Sequence, residues 1–179
     1  MPEKSIFRIV PLFQKRLTME TILEFDEQIS EYELERGKPM PSFEHGMTQR
    51  QFILSLDRYP DIWAIPELSL DLQGFKRVPD IAIFLKQTLQ GRKKGLPVTV
   101  PPILAIEILS PKQALADLFE KADEYLLHGV EAVWIVIPEI QSITVCTKNE
   151  KQKTYTTGDV QHTSAGITIN IEQLFADIV

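Results

Sequence analysis

The chain has 179 residues, of which 44% are apolar, 25% charged and 8% aromatic, proportions that exclude a fibrous or disordered protein. A chain of this length buries roughly 70% of the surface its unfolded form exposes, so a single core needs neither disulfides nor structural zinc. Nineteen Lys and Arg against 25 Asp and Glu leave a formal charge of -6, which confines any nucleic-acid contact to a local patch.

Thr18 to Ile29 carries Met19, Ile22, Leu23, Phe25 and Ile29 at mostly helical spacing, and a first helix is predicted there. Tyr32 to Glu35 alternates like a short strand before Gly37. Glu44 to Leu56 then places Met47, Phe52, Ile53 and Leu56 on one side of a second helix. Strands are expected at Ser69 to Leu72 and at Val78 to Phe84, the latter apolar apart from Asp80. Lys86 to Pro102, rich in Gly and Pro around Arg92-Lys93-Lys94, reads as a long loop.

Ile103 to Leu109 is the clearest strand, interrupted only by Glu107. Ser110-Pro111 fits a helix cap followed by proline, and the helix predicted from there to about His128 ends at Gly129. Ala132 to Ile137, Ile143 to Thr147, Lys153 to Thr157 and Ile167 to Ile171 complete the strands, followed by a short helix from Ile171 to Ile178. Strands, a crossover helix and further strands describe an α/β protein with a mixed β-sheet flanked by helices. No linker or repeat interrupts it, so one domain over 1–179 is expected.

Cys146 is the sole cysteine, which excludes an intramolecular disulfide and suits a reducing compartment. Charges at Glu3, Lys4 and Arg8 argue against a signal peptide, and no apolar run approaches the roughly 18 residues of a membrane helix. A cytoplasmic protein without a membrane partner is expected.

Asp80 and Glu107 each interrupt an apolar strand, and a buried carboxylate needs a partner because its desolvation costs several kcal/mol. If the two strands are neighbours, both acids point at one spot, where they must share a proton or hold a cation; hard oxygen ligands suit Mg²⁺ or Mn²⁺. The competing reading pairs each acid with a Lys or Arg at a strand end.

Lys121 lies on the following helix. At about 100° per residue, with Leu118 as zero, it falls at about −60°, beside Ala114 and Tyr125 at the margin of the apolar face, from where an ammonium can reach along the sheet. Its alternative partner is Asp117, four residues earlier. Two carboxylates and this lysine are together the equipment of metal-assisted phosphodiester hydrolysis. Lys76, Arg77, Arg92, Lys93 and Lys94 flank the Asp80 strand and its loop as candidate nucleic-acid contacts, with Arg36, Lys38 and Arg50 as further candidates. A short basic run is also compatible with a solvated loop tip. Phe43, Phe75, Trp63 and Trp134 read as packing residues.

Arg77-Val78-Pro79-Asp80-Ile81-Ala82, Pro101-Pro102 leading to Ile106-Glu107-Ile108-Leu109-Ser110-Pro111, Asp117-x-x-x-Lys121-x-x-x-Tyr125 and Gly129-Val130-Glu131-x-x-Trp134 occur in an order that resembles the Uma-type "putative restriction endonuclease" family of the PD-(D/E)XK superfamily. Tyr32-Glu33-Leu34-x-x-Gly37 and Pro41-Ser42-x-Glu44-His45 extend the resemblance upstream, so that it spans roughly residues 18 to 148. It implies a restriction-endonuclease-like fold with Asp80, Glu107 and Lys121 as catalytic residues. The metal ligands implied are Asp80, Glu107, the Ile108 carbonyl and Glu33, and His45 matches a family position of unassigned role.

It further implies Mg or Mn as cofactor, no small-molecule cofactor, DNA as partner and, by analogy with many nucleases of this fold, a homodimer. The chain departs from the superfamily at Leu109, where the lysine two residues after the glutamate normally stands, and the family resembled moves that lysine to the helix as Lys121. Val133 and Ile137 are smaller departures. Two alternatives stay open at this stage: a non-catalytic nucleic-acid-binding or assembly module that keeps the fold, and metal-free hydrolysis of another substrate by the carboxylate pair.

Overall fold

A computed structural model of the chain describes residues 41–91 and 95–178. The predicted first helix, the strand at Tyr32 to Glu35, Glu33, Arg36, Lys38 and the Arg92-Lys93-Lys94 run lie outside the described residues. The described residues belong to one unit of the chain.

Its first helix, α1 (Phe43–Leu56), is capped by Ser42, whose side chain accepts from the His45 backbone N–H, satisfying one of the donors a helix start leaves open. Strands β1 (Ile62–Pro66), β2 (Leu70–Leu72), β3 (Phe75–Arg77) and β4 (Ile81–Leu85) follow. After a 3-10 turn at Lys86–Leu89 come β5 (Leu104–Ile108), α2 (Leu115–Leu127), β6 (Ala132–Ile137), β7 (Ser142–Thr147) and β8 (Lys153–Tyr155). The ribbon β9 (Asp159–His162) and β10 (Ile167–Asn170) and the short helix α3 (Ile171–Phe175) close the chain.

Among the described residues six strands form one sheet in the order β1-β4-β5-β6-β7-β8. Only β5 and β6 are parallel, and the other neighbours are antiparallel. The parallel pair requires a crossover, which α2 supplies. Both faces are covered, so β4, β5 and β6 read as continuous apolar runs. Strand alternation sends Ile81, Ile83, Leu104 and Ile106 to a layer built with α1, α3 and the β9–β10 ribbon. Ala82, Phe84 and Ala105 go to the opposite layer, built with α2 and the β2–β3 hairpin. Leu118, Ala122, Tyr125 and Leu126 of α2 are buried, one stripe at helical spacing, and each large side chain in it contributes about 1.5–3 kcal/mol by leaving water.

Within the described residues the predicted strand and helix cores are present, with shifted ends. The helix expected from Ser110-Pro111 begins only at Leu115: Ser110 is buried, its carbonyl accepts from the Gln113 N–H at 2.9 Å, and Pro111 sits inside that turn, a position that proline's fixed φ suits. At the other end Gly129, at φ +92°, turns the chain out of α2, in the left-handed conformation that glycine adopts without strain. Three strands were absent from the sequence reading: β1, β3 and β9. Trp134 and Phe75 pack as expected, whereas Phe43 and Trp63 are largely exposed, the latter with the Lys86 ammonium 4.3 Å from its ring centroid.

Candidate active site

The β4–β5 ladder pairs Ile81 with Ile106, so one further antiparallel step sets Asp80 opposite Glu107. Alternation puts both side chains on the α2 side of the sheet. Asp80 stands just before β4, after Val78-Pro79, where proline offers the ladder no donor. Its carbonyl accepts from the Glu67 N–H at 3.2 Å and from Gln49 Nε2 at 2.8 Å, which fixes the backbone from two directions. Its Oδ2 accepts from the Ile108 N–H at 2.8 Å and lies 3.2 Å from His45 Nε2. Asp80 therefore reaches the residue next to Glu107, and α1 braces it through His45 and Gln49.

Glu107 is 2% exposed and both its oxygens are engaged by α2. Tyr125 Oη donates to Oε1 at 2.9 Å, and Lys121 Nζ donates to Oε2 at 3.1 Å. Burial first, and the Asp80 charge second, push the Glu107 carboxyl up to about 7, against the opposing pull of Lys121 and the two hydrogen bonds. Two carboxylates close enough to disturb one another in a buried corner are a hard-oxygen donor set that attracts a cation. Burial and the Glu107 charge raise the Tyr125 hydroxyl above its ordinary range, so it stays a proton donor.

The structure thus brings together Asp80, Glu107, Ile108, Lys121 and His45. Lys121 turns to Glu107, and no Lys121–Asp117 pair occurs among the described residues. Of the expected phosphate contacts, Lys76 is exposed on β3. Arg77 pairs with Glu124 at 2.7 Å and lies 4.4 Å from the Phe75 ring centroid. Among the described residues no group of three or more His, Cys, Asp and Glu side chains is arranged to hold a metal ion. The sequence does not single out Gln49, and it offers Tyr125 as part of the apolar face and of the Asp117-x-x-x-Lys121-x-x-x-Tyr125 motif without a role of its own. Its position one turn after Lys121 was the available signal.

The family model described as "putative restriction endonuclease", Uma2, matches residues 18–177. The chain belongs to the Uma2 family. Of the motifs that suggested this, those around His45, Asp80, Glu107-Ile108 and Lys121-x-x-x-Tyr125 meet at the corner just described. No curated protein gives a match. Among solved structures, the chain is similar to "a putative nuclease belonging to DUF820" from Anabaena variabilis, with 24% identity, 77% of this chain and 83% of that one covered, and a TM-score of 0.69. That likeness establishes the fold, which is restriction-endonuclease-like. Among the described residues no helix is long and apolar enough to cross a membrane.

Proposed function

We propose that this Uma2-family chain is a metal-dependent DNA endonuclease that hydrolyses phosphodiester bonds. The observation that carries the reading is the pair of Asp80, just before β4, and Glu107, on the adjacent β5, with Lys121 of α2 bonded to the second acid at 3.1 Å. Asp80 and Glu107 hold Mg²⁺ or Mn²⁺. The Ile108 carbonyl adds a third oxygen, because in an extended strand the N–H and C=O of one residue face the same side and the Ile108 N–H faces Asp80. A divalent ion at such a site polarises a phosphate oxygen and acidifies water.

The remaining work falls to the chain. His45 and the Ile108 N–H fix the Asp80 carboxylate, Tyr125 fixes Glu107, and the Lys121 ammonium neutralises charge growing on the phosphate or positions the attacking water. Lys76 contacts the phosphate backbone from β3, which makes DNA binding sensitive to salt. Arg92, Lys93 and Lys94 are assigned the same role from sequence alone. A homodimer that cuts both strands, located in the cytoplasm, completes the proposal.

Supercoiled plasmid incubated with Mg²⁺ or Mn²⁺ tests it directly. Nicked or linear product is expected from the unmodified chain and none from Asp80→Asn, Glu107→Gln or samples in EDTA. Cleavage that survives Asp80→Asn undiminished overturns the assignment. Salt-sensitive DNA binding without any cleavage favours the non-catalytic module instead.

A further inference from the structure

Lys121 and Tyr125, one helical turn apart, hold the two oxygens of Glu107, but they are held very differently themselves. Tyr125 is fully buried. Its ring meets Phe75 edge-on, with centroids 5.9 Å apart. Phe75 is in turn stacked on His128 at 4.2 Å and covered by the Arg77 guanidinium, which Glu124 pairs. Swinging the phenol away from Glu107 means unpacking the β2–β3 hairpin from α2. The Lys121 side chain is 27% exposed and ends a flexible four-carbon stem, so its ammonium can exchange a carboxylate oxygen for water or phosphate at small cost.

We propose that Tyr125 is a positioning residue that keeps Glu107 aimed through its Oε1, while Lys121 is a releasable placeholder on Oε2 that yields this oxygen to a divalent cation and is thereby freed for the phosphate. The inference rests on the metal reading above and adds a division of labour to it. A carboxylate released by both donors at once would lose its orientation. One released by Lys121 alone keeps its rotamer, because the Tyr125 hydrogen bond persists. Partners that orient a ligand from behind change metal affinity by roughly 10–100-fold when removed, whereas a donor that must be displaced opposes binding.

The two substitutions should therefore move metal affinity in opposite directions, an outcome that a shared structural role does not produce. Calorimetric titration of the full chain with Mn²⁺ in the absence of DNA reads this out. Tyr125→Phe is expected to weaken Mn²⁺ binding by about tenfold or more, and Lys121→Met to strengthen it by about threefold, the size of a partly exposed ion pair that no longer has to be broken. Weaker binding in Lys121→Met, or affinity within twofold of the unmodified chain in Tyr125→Phe, overturns the division of labour while leaving the metal site standing. No Mn²⁺ binding by the unmodified chain removes the metal reading and this inference together. Should Tyr125→Phe fail to fold, the sign of the Lys121→Met change decides alone.

Discussion

Replacing Glu107 with glutamine is expected to stabilise the metal-free protein at alkaline pH, although it removes a hydrogen-bonded carboxylate from the core. The folded chain holds the Glu107 proton up to about pH 7, against an ordinary value of 4.5. A carboxyl raised in the folded state binds its proton more tightly there than in the unfolded chain. Its contribution is fully present below the unfolded value, is lost as pH rises to about 7, and stays lost above. That displacement corresponds to about 3 kcal/mol of stability missing at pH 8. Glutamine retains the acceptor for Tyr125, and the 27% exposed Lys121 side chain can turn to water, so little offsets the gain.

For a chain of this size the difference amounts to about 6–12 °C in melting temperature. Thermal unfolding of both proteins in EDTA at pH 8 and pH 4 measures it: Glu107→Gln should melt higher at pH 8, and the two should nearly coincide at pH 4. A variant that melts below the unmodified chain at pH 8 refutes the argument that the buried carboxylate pair is held at a cost.

His162, buried with Nε2 3.0 Å from the Ile103 carbonyl, has its pKa lowered by burial, against the opposing Glu131 charge. The unfolded chain takes up that proton first, so stability should fall as pH drops below about 6.5, and denaturant titrations of His162→Gln between pH 5 and 7.5 should show a flatter acid limb. Lys76→Ala should lower the salt slope of DNA binding by about one counterion, whereas Arg77→Ala, which removes a paired side chain, should leave that slope nearly unchanged; equal slopes for both would show that Arg77 meets phosphate after all. Light scattering on the purified chain should return twice the monomer mass, and a monomer at working concentration would remove the two-strand cutting arrangement.

How far the sequence reached depended on whether a residue's role is set locally. The β6 span was legible in full because six apolar residues in a row, five of them buried, admit few other structures. Asp80 and Glu107 were legible because acids inside apolar strands demand an explanation, and Lys121 because helical geometry set its angle. Strand β1, Ile-Trp-Ala-Ile-Pro, escaped because it is short and closes on proline, and β9 because only Val160 and His162 face inward. The start of α2 was misplaced because Ser110-Pro111 has the composition of a cap but forms a turn, while Ala114, the residue that precedes the helix, makes no side-chain cap bond. The Arg77 pairing with Glu124 joins residues from separate segments, and no local pattern announces such a partner; for the Tyr125 bond to Glu107 the helical turn that separates Tyr125 from Lys121 is the sole local hint.

The claim on which the rest depends is that Asp80 and Glu107 grip one divalent ion. Anomalous scattering from crystals soaked in Mn²⁺ measures this without reference to activity. A single manganese peak within bonding distance of both carboxylates, absent in Asp80→Asn, is the predicted result. Manganese bound elsewhere, or a corner that stays metal-free at millimolar Mn²⁺ with Lys121 still on Glu107, contradicts it.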